Sequence, residues 1–166
     1  MNKMTYPVIF LMAVMMLLSS CGFHLRGSFS IPIALQTLQI QPAQPYDPLQ
    51  RHLKKILKSN AVHLIETTPP NKDIATITLL NQQFSEQTVA YGSDGQPNRA
   101  VLQYTVRYQI TDPKQSIAPD ERSVQVEREL TINPGATLGT DNERQRLKAD
   151  LYLEAAFALV RQLSAL

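Results

Sequence analysis

The hydrophobic pattern divides the chain into one continuous apolar run, two helical stripes and a series of alternating segments. Residues 8–18 are apolar without interruption, a run shorter than the roughly 20 residues that cross a bilayer as a helix. In residues 35–41, Leu38 and Ile40 alternate with polar neighbours, the period of a half-buried strand. Leu49, Leu53, Ile56 and Leu57 fall at i, i+4, i+7 and i+8, which is one stripe of a helix. Residues 62–66 form a brief apolar piece. Residues 74–87 read as a long strand carrying Ile77, Leu79, Leu80 and Phe84, with an ambiguous inward face. The clearest strand is 100–111, where Leu102, Tyr104, Val106, Tyr108 and Ile110 alternate with Val101, Gln103, Thr105, Arg107 and Gln109. A third long strand over 122–132 sets Val124, Val126, Leu130 and Ile132 against Ser123, Gln125, Glu127, Glu129 and Thr131. Leu147, Leu151, Ala155, Leu159 and Leu163 then recur at four-residue steps, the stripe of a long helix.

Local chemistry marks the ends of these segments. Asp47 can cap the first helix, and Pro48 fits its first position because no N–H is needed there. Lys54, Lys55 and Lys58 suit its negative C-terminal end, and Asn60 suits its stop. Asp94-Gly95 is a hairpin tip within residues 91–95. Thr140 and Glu143 read as a capping box opening the last helix. The order β-α-β-β-β-α predicts an α+β, two-layer sandwich. Its sheet would be four-stranded and mostly antiparallel, with both helices on one face. The other face would then meet solvent or a partner.

Cys21 is the single cysteine of the chain, so neither an internal disulfide nor a cysteine-based metal set can form. It follows the apolar run and two serines, and Lys3 precedes that run. This arrangement resembles a bacterial lipoprotein signal, in which cleavage before the cysteine is followed by its acylation. The expected domains are therefore a signal peptide over 1–20, a lipidated tether over 21–33 and a single folded domain over 34–166. Removing 20 of the 166 residues leaves 146, a normal size for one core. Loss of Lys3 lowers the net charge from +2 to +1, which gives no argument for nucleic-acid binding. A fully modified Cys21, carrying N-acyl and S-diacylglycerol groups, would hold the protein firmly to a membrane.

Nothing in the sequence assembles a catalytic set. His24, His52 and His63 lack metal-ligand spacing, and no nucleophile elbow, phosphate loop or dinucleotide motif occurs. Asp120-Glu121 and the pair Glu127 and Glu129 read as solvated charges, so no enzyme, metal or cofactor is expected. Arg99, Arg107, Arg122 and Arg128 lie on strand positions, where arginine can grip phosphate or carboxylate groups. Pairing with Glu86, Glu127 or Glu129 across strands is at least as natural a role. Arg51, Lys54, Lys55 and Lys58 form a second cationic feature, for which a solvated face is the simplest reading.

Cys21-Gly22-Phe23-His24-Leu25-Arg26-Gly27 resembles the Cys-Gly-aromatic-x-Leu-Arg-Gly opening of the mature LPS-assembly lipoprotein LptE family. The layout of strand, helix, three long strands and a C-terminal helix is similar as well. The resemblance implies an outer-membrane lipoprotein that plugs and helps assemble the LptD β-barrel. It implies a translocon that inserts lipopolysaccharide into the outer leaflet, and direct lipopolysaccharide binding. Gly22 after Cys21 is similar to the signals that sort lipoproteins to the outer membrane. Gln82, Gln83, Gln87, Gln96, Asn98, Gln103, Gln109 and Gln125 would suit the polar interior of a barrel. Arg99, Arg107, Arg122 and Arg128 are the candidates for lipopolysaccharide phosphates, with Lys54, Lys55 and Lys58 second, and the tip 91–95 carries no cation. The alternative is a free-standing, periplasm-facing lipoprotein that binds amphiphiles or peptidoglycan, which would need an apolar pocket between sheet and helices.

Overall fold

The alternation in residues 100–111 becomes the floor of the core. Ala100, Leu102, Tyr104, Val106, Tyr108 and Ile110 are all buried, while the odd positions between them reach the surface. The computed structural model describes residues 29–67, 71–114 and 120–166. Cys21 and His24 lie outside the described residues. After a single 3-10 turn, Ile33–Leu35, the elements in order are β1 (Thr37–Gln41), α1 (Pro48–Ser59), β2 (His63–Leu64), β3 (Ala75–Tyr91), β4 (Pro97–Thr111), β5 (Asp120–Thr131) and α2 (Thr137–Leu163).

The structure is α+β with both helices packed over a sheet, as the pattern predicts, but the sheet differs in two respects. It has five strands, in the order β2-β1-β3-β4-β5, rather than four. It is also mixed, because β1 runs parallel to both β2 and β3. The extra strand is the brief apolar piece around residue 63. The backbone N–H groups of His63 and Ile65 donate to Gln36 and Leu38 carbonyls, each at 2.8 Å. Two strand residues are too few to show a period of two. The parallel sense follows from connectivity. The chain leaves β1 through α1 and returns to the end from which β1 started, as a crossover requires.

β3 and β4 form a long antiparallel hairpin, continued by β5. β3 has 17 residues, about 56 Å of strand. Its register shifts at Leu80 and again at Val89, where one extra residue interrupts the pairing with β4. The first shift moves the helix-facing set from Ile77 and Leu79 to Gln82, Phe84 and Glu86, because side chains alternate with a period of two. The turn closes through Gly92 N–H to the Gln96 carbonyl at 2.8 Å and Asp94 Oδ1 accepting from Gln96 N–H at 3.0 Å. Gly95 has φ +76°, where a side chain would be strained.

α1 forms as its sequence dictates. Asp47 Oδ1 accepts from Leu49 N–H at 2.9 Å, Pro48 occupies the first helical position, and Leu49, Leu53, Ile56 and Leu57 are buried. The end of the helix falls at Asn60, and Ala61 follows in the left-handed region at φ 59°. α2 departs from the expected capping box. It starts a turn earlier, at Thr137, and has no side-chain cap. Thr140 Oγ1 instead donates to the Ala136 carbonyl and accepts from Asn133 N–H, both at 3.2 Å. A hydroxyl bonded back into the preceding turn is no longer a helix opener.

The folded part also begins earlier than residue 34. Ile31 is buried, Phe29 packs beside Phe157 with ring centroids 6.4 Å apart, and Phe29 N–H donates to Asn60 Oδ1 at 2.7 Å. The end of the expected tether is thus fixed to the C-terminus of α1.

Asp47 joins α1 to the sheet, since its second carboxylate oxygen accepts from Gln82 Nε2 and Gln82 Oε1 accepts from Tyr104 O–H. Asp47→Ala is expected to lower unfolding free energy by about 1–3 kcal/mol, through loss of the cap and an unpartnered amide. Urea denaturation should show a lower midpoint with an unchanged slope.

Candidate functional site

The two faces of the sheet differ in chemistry. One is covered by α1 and α2 and is apolar. The other is built from the odd positions of β4 and β5 and their neighbours on β3 and β1. Gln83, Gln103, Thr105, Gln109, Ser123 and Gln125 lie on it, so amides and hydroxyls dominate. Some pair along the sheet, as Ser85 Oγ does with Gln103 Oε1 at 3.4 Å. At the β1 end, Gln39 is buried on this side and accepts at Oε1 from Thr67 Oγ1 and Asn71 N–H, each at 3.0 Å. An amide offers both donors and acceptors, so this face can bond another polar surface without a matching charge pattern.

The four arginines do not converge. Arg99 and Arg107 lie on the open face and pair with Glu129 (3.1 Å) and Glu121 (Nε to Oε1 2.6 Å). Arg122 and Arg128 lie on the opposite face, at the register positions of Tyr108 and Leu102. Arg122 Nε approaches Asp120 at 3.4 Å, and Arg128 reaches Glu154 of α2 at 2.7 Å. The apparent break that Arg128 makes in the β5 pattern is therefore a strand-to-helix ion pair. The Arg99 and Arg107 pairs are about half exposed and worth little to stability, which leaves those two arginines exchangeable toward another anion.

The covered face has its own polar line, which the sequence did not reveal beyond Asp47. Tyr104 stacks on Phe84 with centroids 4.3 Å apart, and Tyr152 of α2 stands edge-on to both, at 5.1 and 5.3 Å. Lys148 Nζ lies 5.5 Å from the Phe84 ring centre, within cation–π range. One turn earlier, Arg144 bridges Glu86 at 2.9 Å and Asp141. That bridge, with the hydrogen bonds to Glu86, holds the Arg144 guanidinium above its ordinary pKa. Burial raises the Tyr104 phenol far above its usual value, with the Asp47 charge adding to it. Burial also raises Tyr108 to about 12. Tyr108 O–H donates to Gln162 Oε1 at 2.6 Å, and Gln162 Nε2 donates to the Ser123 carbonyl at 3.1 Å.

The histidines stay apart: His52 lies within α1 and His63 in β2. His52 is held below its ordinary pKa by burial, then by Arg51 and Lys55. Among the described residues no three His, Cys, Asp or Glu side chains gather to hold a metal. No helix of the described residues is long and apolar enough to cross a membrane. A depression of about 380 Å³ lies beside the end of α2, lined by Asp120, Arg122, Ser123, Gln162 and Ala165. Between sheet and helices the space is filled by a continuous cluster of buried side chains.

The LptE lipopolysaccharide-assembly family model matches residues 35–163. The chain is 32% identical over 145 residues to the LPS-assembly lipoprotein LptE of Pectobacterium atrosepticum, covering 87% of this chain and 77% of that one. It is 34% identical over 145 residues to the protein of the same name from Photorhabdus laumondii, covering 87% and 78%. Among solved structures, the rare lipoprotein B of Shewanella oneidensis superimposes with TM-score 0.68 at 17% identity, over 78% of this chain and 94% of that one. A minor lipoprotein from Acinetobacter baumannii gives 0.64 at 24%, over 81% and 94%.

The raised Tyr108 value carries a sign. Its folded pKa, about 12, exceeds the ordinary 10, so the stability it contributes is complete below pH 10 and is lost as pH rises toward 12. Tyr108→Phe is expected to flatten the decline in stability across that window, measured by denaturation at stepped pH.

Proposed function

The chain belongs to the LptE family of lipopolysaccharide-assembly lipoproteins, and on that premise we propose that it acts as a plug and assembly partner for an LptD-like outer-membrane β-barrel. It is anchored through acyl groups on Cys21, helps deliver lipopolysaccharide to the outer leaflet, and catalyses no covalent reaction.

The observation that carries this reading is the uncovered face of the sheet. A free-standing lipoprotein with a polar sheet face would be served by charged, well-solvated side chains. Here amides and hydroxyls predominate over a long, ordered surface. The inside of a transmembrane barrel is polar, and a surface of mixed donors and acceptors can satisfy it residue by residue. The hairpin of β3 and β4 gives that face its length, extending about 43 Å beyond the last β1 pairing at Thr78. The filled space between the layers gives no support to an amphiphile pocket.

Thr105 sits near the middle of the open face, opposite Gln83 and Gln125. Thr105→Arg is expected to reduce recovery of the barrel in a detergent pull-down at least tenfold. The thermal midpoint should move little, since surface changes typically cost within about 0.5 kcal/mol. Undiminished recovery would count against the open face as the barrel contact. For lipopolysaccharide, Arg99 and Arg107 are the two candidates on the open face. Arg99→Ala with Arg107→Ala is expected to weaken lipopolysaccharide binding severalfold at low salt, measured on the chain free of any barrel.

A further inference from the structure

α1 carries two opposite stripes. Leu49, Leu53, Ile56 and Leu57 face the core, while Arg51, Lys55 and Lys58 are exposed. At 100° per residue these three lie together, diametrically across the helix from the buried set. The helix contains no acidic residue. Among the described ion pairs of α1, only Lys54 is engaged, with Glu66 at 3.1 Å. Arg51, Lys55 and Lys58 pair with no carboxylate among the described residues, whereas Arg99, Arg107, Arg122, Arg128, Arg144 and Arg146 all do. Burial first, and then the charges of Arg51 and Lys55, hold His52 below its ordinary pKa.

The position of this stripe relative to Cys21 is restricted. Phe29 N–H is bonded to Asn60 Oδ1, directly after the last turn of α1. Cys21 precedes Phe29 by eight residues, so fully extended chain separates them by at most about 29 Å. α1 and β1 also stand at the end of the sheet away from the β3–β4 turn. The end of the molecule nearest the anchor therefore presents three cations with no carboxylate partner among the described residues.

We propose that Arg51, Lys55 and Lys58 rest on anionic phospholipid headgroups of the leaflet that holds the Cys21 acyl chains. The proposal depends on the anchored reading above. The acyl chains supply attachment, and the stripe supplies orientation: it sets the exposed side of α1 against the membrane surface. Basic side chains near an anionic surface each add to binding and lose effect within a Debye length.

The test uses the mature chain with Cys21→Ala, exported behind an ordinary cleavable signal, so that lipid attachment contributes nothing. Co-sedimentation with vesicles containing one-quarter phosphatidylglycerol should exceed that with pure phosphatidylcholine by roughly tenfold or more. Arg51→Gln, Lys55→Gln and Lys58→Gln together should abolish the difference, with the circular dichroism spectrum and thermal midpoint of the parent retained. Should the triple variant fold poorly, Lys55→Gln and Lys58→Gln singly should each lower binding severalfold. Equal binding to neutral vesicles, or an undiminished preference in the variants, overturns the proposal. Release by inorganic phosphate at matched ionic strength would assign the stripe to free anions and overturn it as well. Loss of the barrel in a pull-down with normal vesicle binding would place the stripe on the barrel instead. The mass of the native protein from membranes decides the anchor separately: an unmodified Cys21 refutes the anchored reading and leaves the vesicle result interpretable.

Discussion

One-sided burial of the β3–β4–β5 sheet is the constraint on which the other features depend. The even positions of β4 supply six buried side chains in a row, and Val124, Val126 and Leu130 continue them on β5. A sheet that buries one face needs a cover, and α2 supplies it with Leu147, Leu151, Ala155, Leu159 and Leu163. Ala155 and Ala156, both fully buried, let the helix lie close to the strands. α1 then packs beside α2 and closes the end near β1. Beyond the loop over Gln39, the described residues leave the opposite face uncovered, so its side chains can be selected for contact with something else.

Within that layered core, polar groups set the alignment of the parts. An apolar helix stripe slides on an apolar sheet at small cost, but a hydrogen-bonded line does not. Asp47, Gln82 and Tyr104 tie the start of α1 to β3 and β4. Tyr108 and Gln162 tie β4 to the last turn of α2, and Glu86 with Arg144 ties β3 to its first turns. These links lie at three points along the molecule. Breaking either of the first two strands a buried or half-buried partner without a hydrogen bond, and that desolvation penalty exceeds the net worth of the bond itself. The line therefore fixes one arrangement of helices on sheet.

Much of this was legible from the sequence because it is periodic. The stripe of α1, its Asp47 cap and Pro48 start, the alternation of β4 and β5, and the Asp94-Gly95 tip each express a local rule. What escaped is what local rules do not encode. The two-residue strand β2 is defined by pairing with β1, not by its own pattern. The inward face of β3 was ambiguous because the bulge at Leu80 changes parity in mid-strand, so no single alternation describes it. Thr140 read as a cap because Glu143 stands three residues on, yet its hydroxyl is used by Ala136 and Asn133. The arginines were found as residues but not as a geometry: parity along β4 and β5 sends Arg99 and Arg107 to one face and Arg122 and Arg128 to the other. The barrel-facing candidate surface was visible only as a surplus of glutamines, since assigning them to one face required the register.

The layout also gives the molecule a direction. The chain enters at Phe29 beside the end of α1, where the helix is cationic and the sheet is parallel, short-stranded and closed by a loop over Gln39. At the other end two antiparallel strands, with Val89 and Tyr91 of β3 exposed, run out to a five-residue turn with no cation in it. A chain tied at the first end reaches furthest with the second. Hydrogen-bonded antiparallel strands suit that task, because each strand stiffens the other along the whole length of the reach. In a protein with no assembled catalytic set among its described residues, the physical asset is this directed stiffness. The end that holds Phe29 and α1 fixes where the polar face begins, the paired strands fix how far it extends, and the helices cover its back.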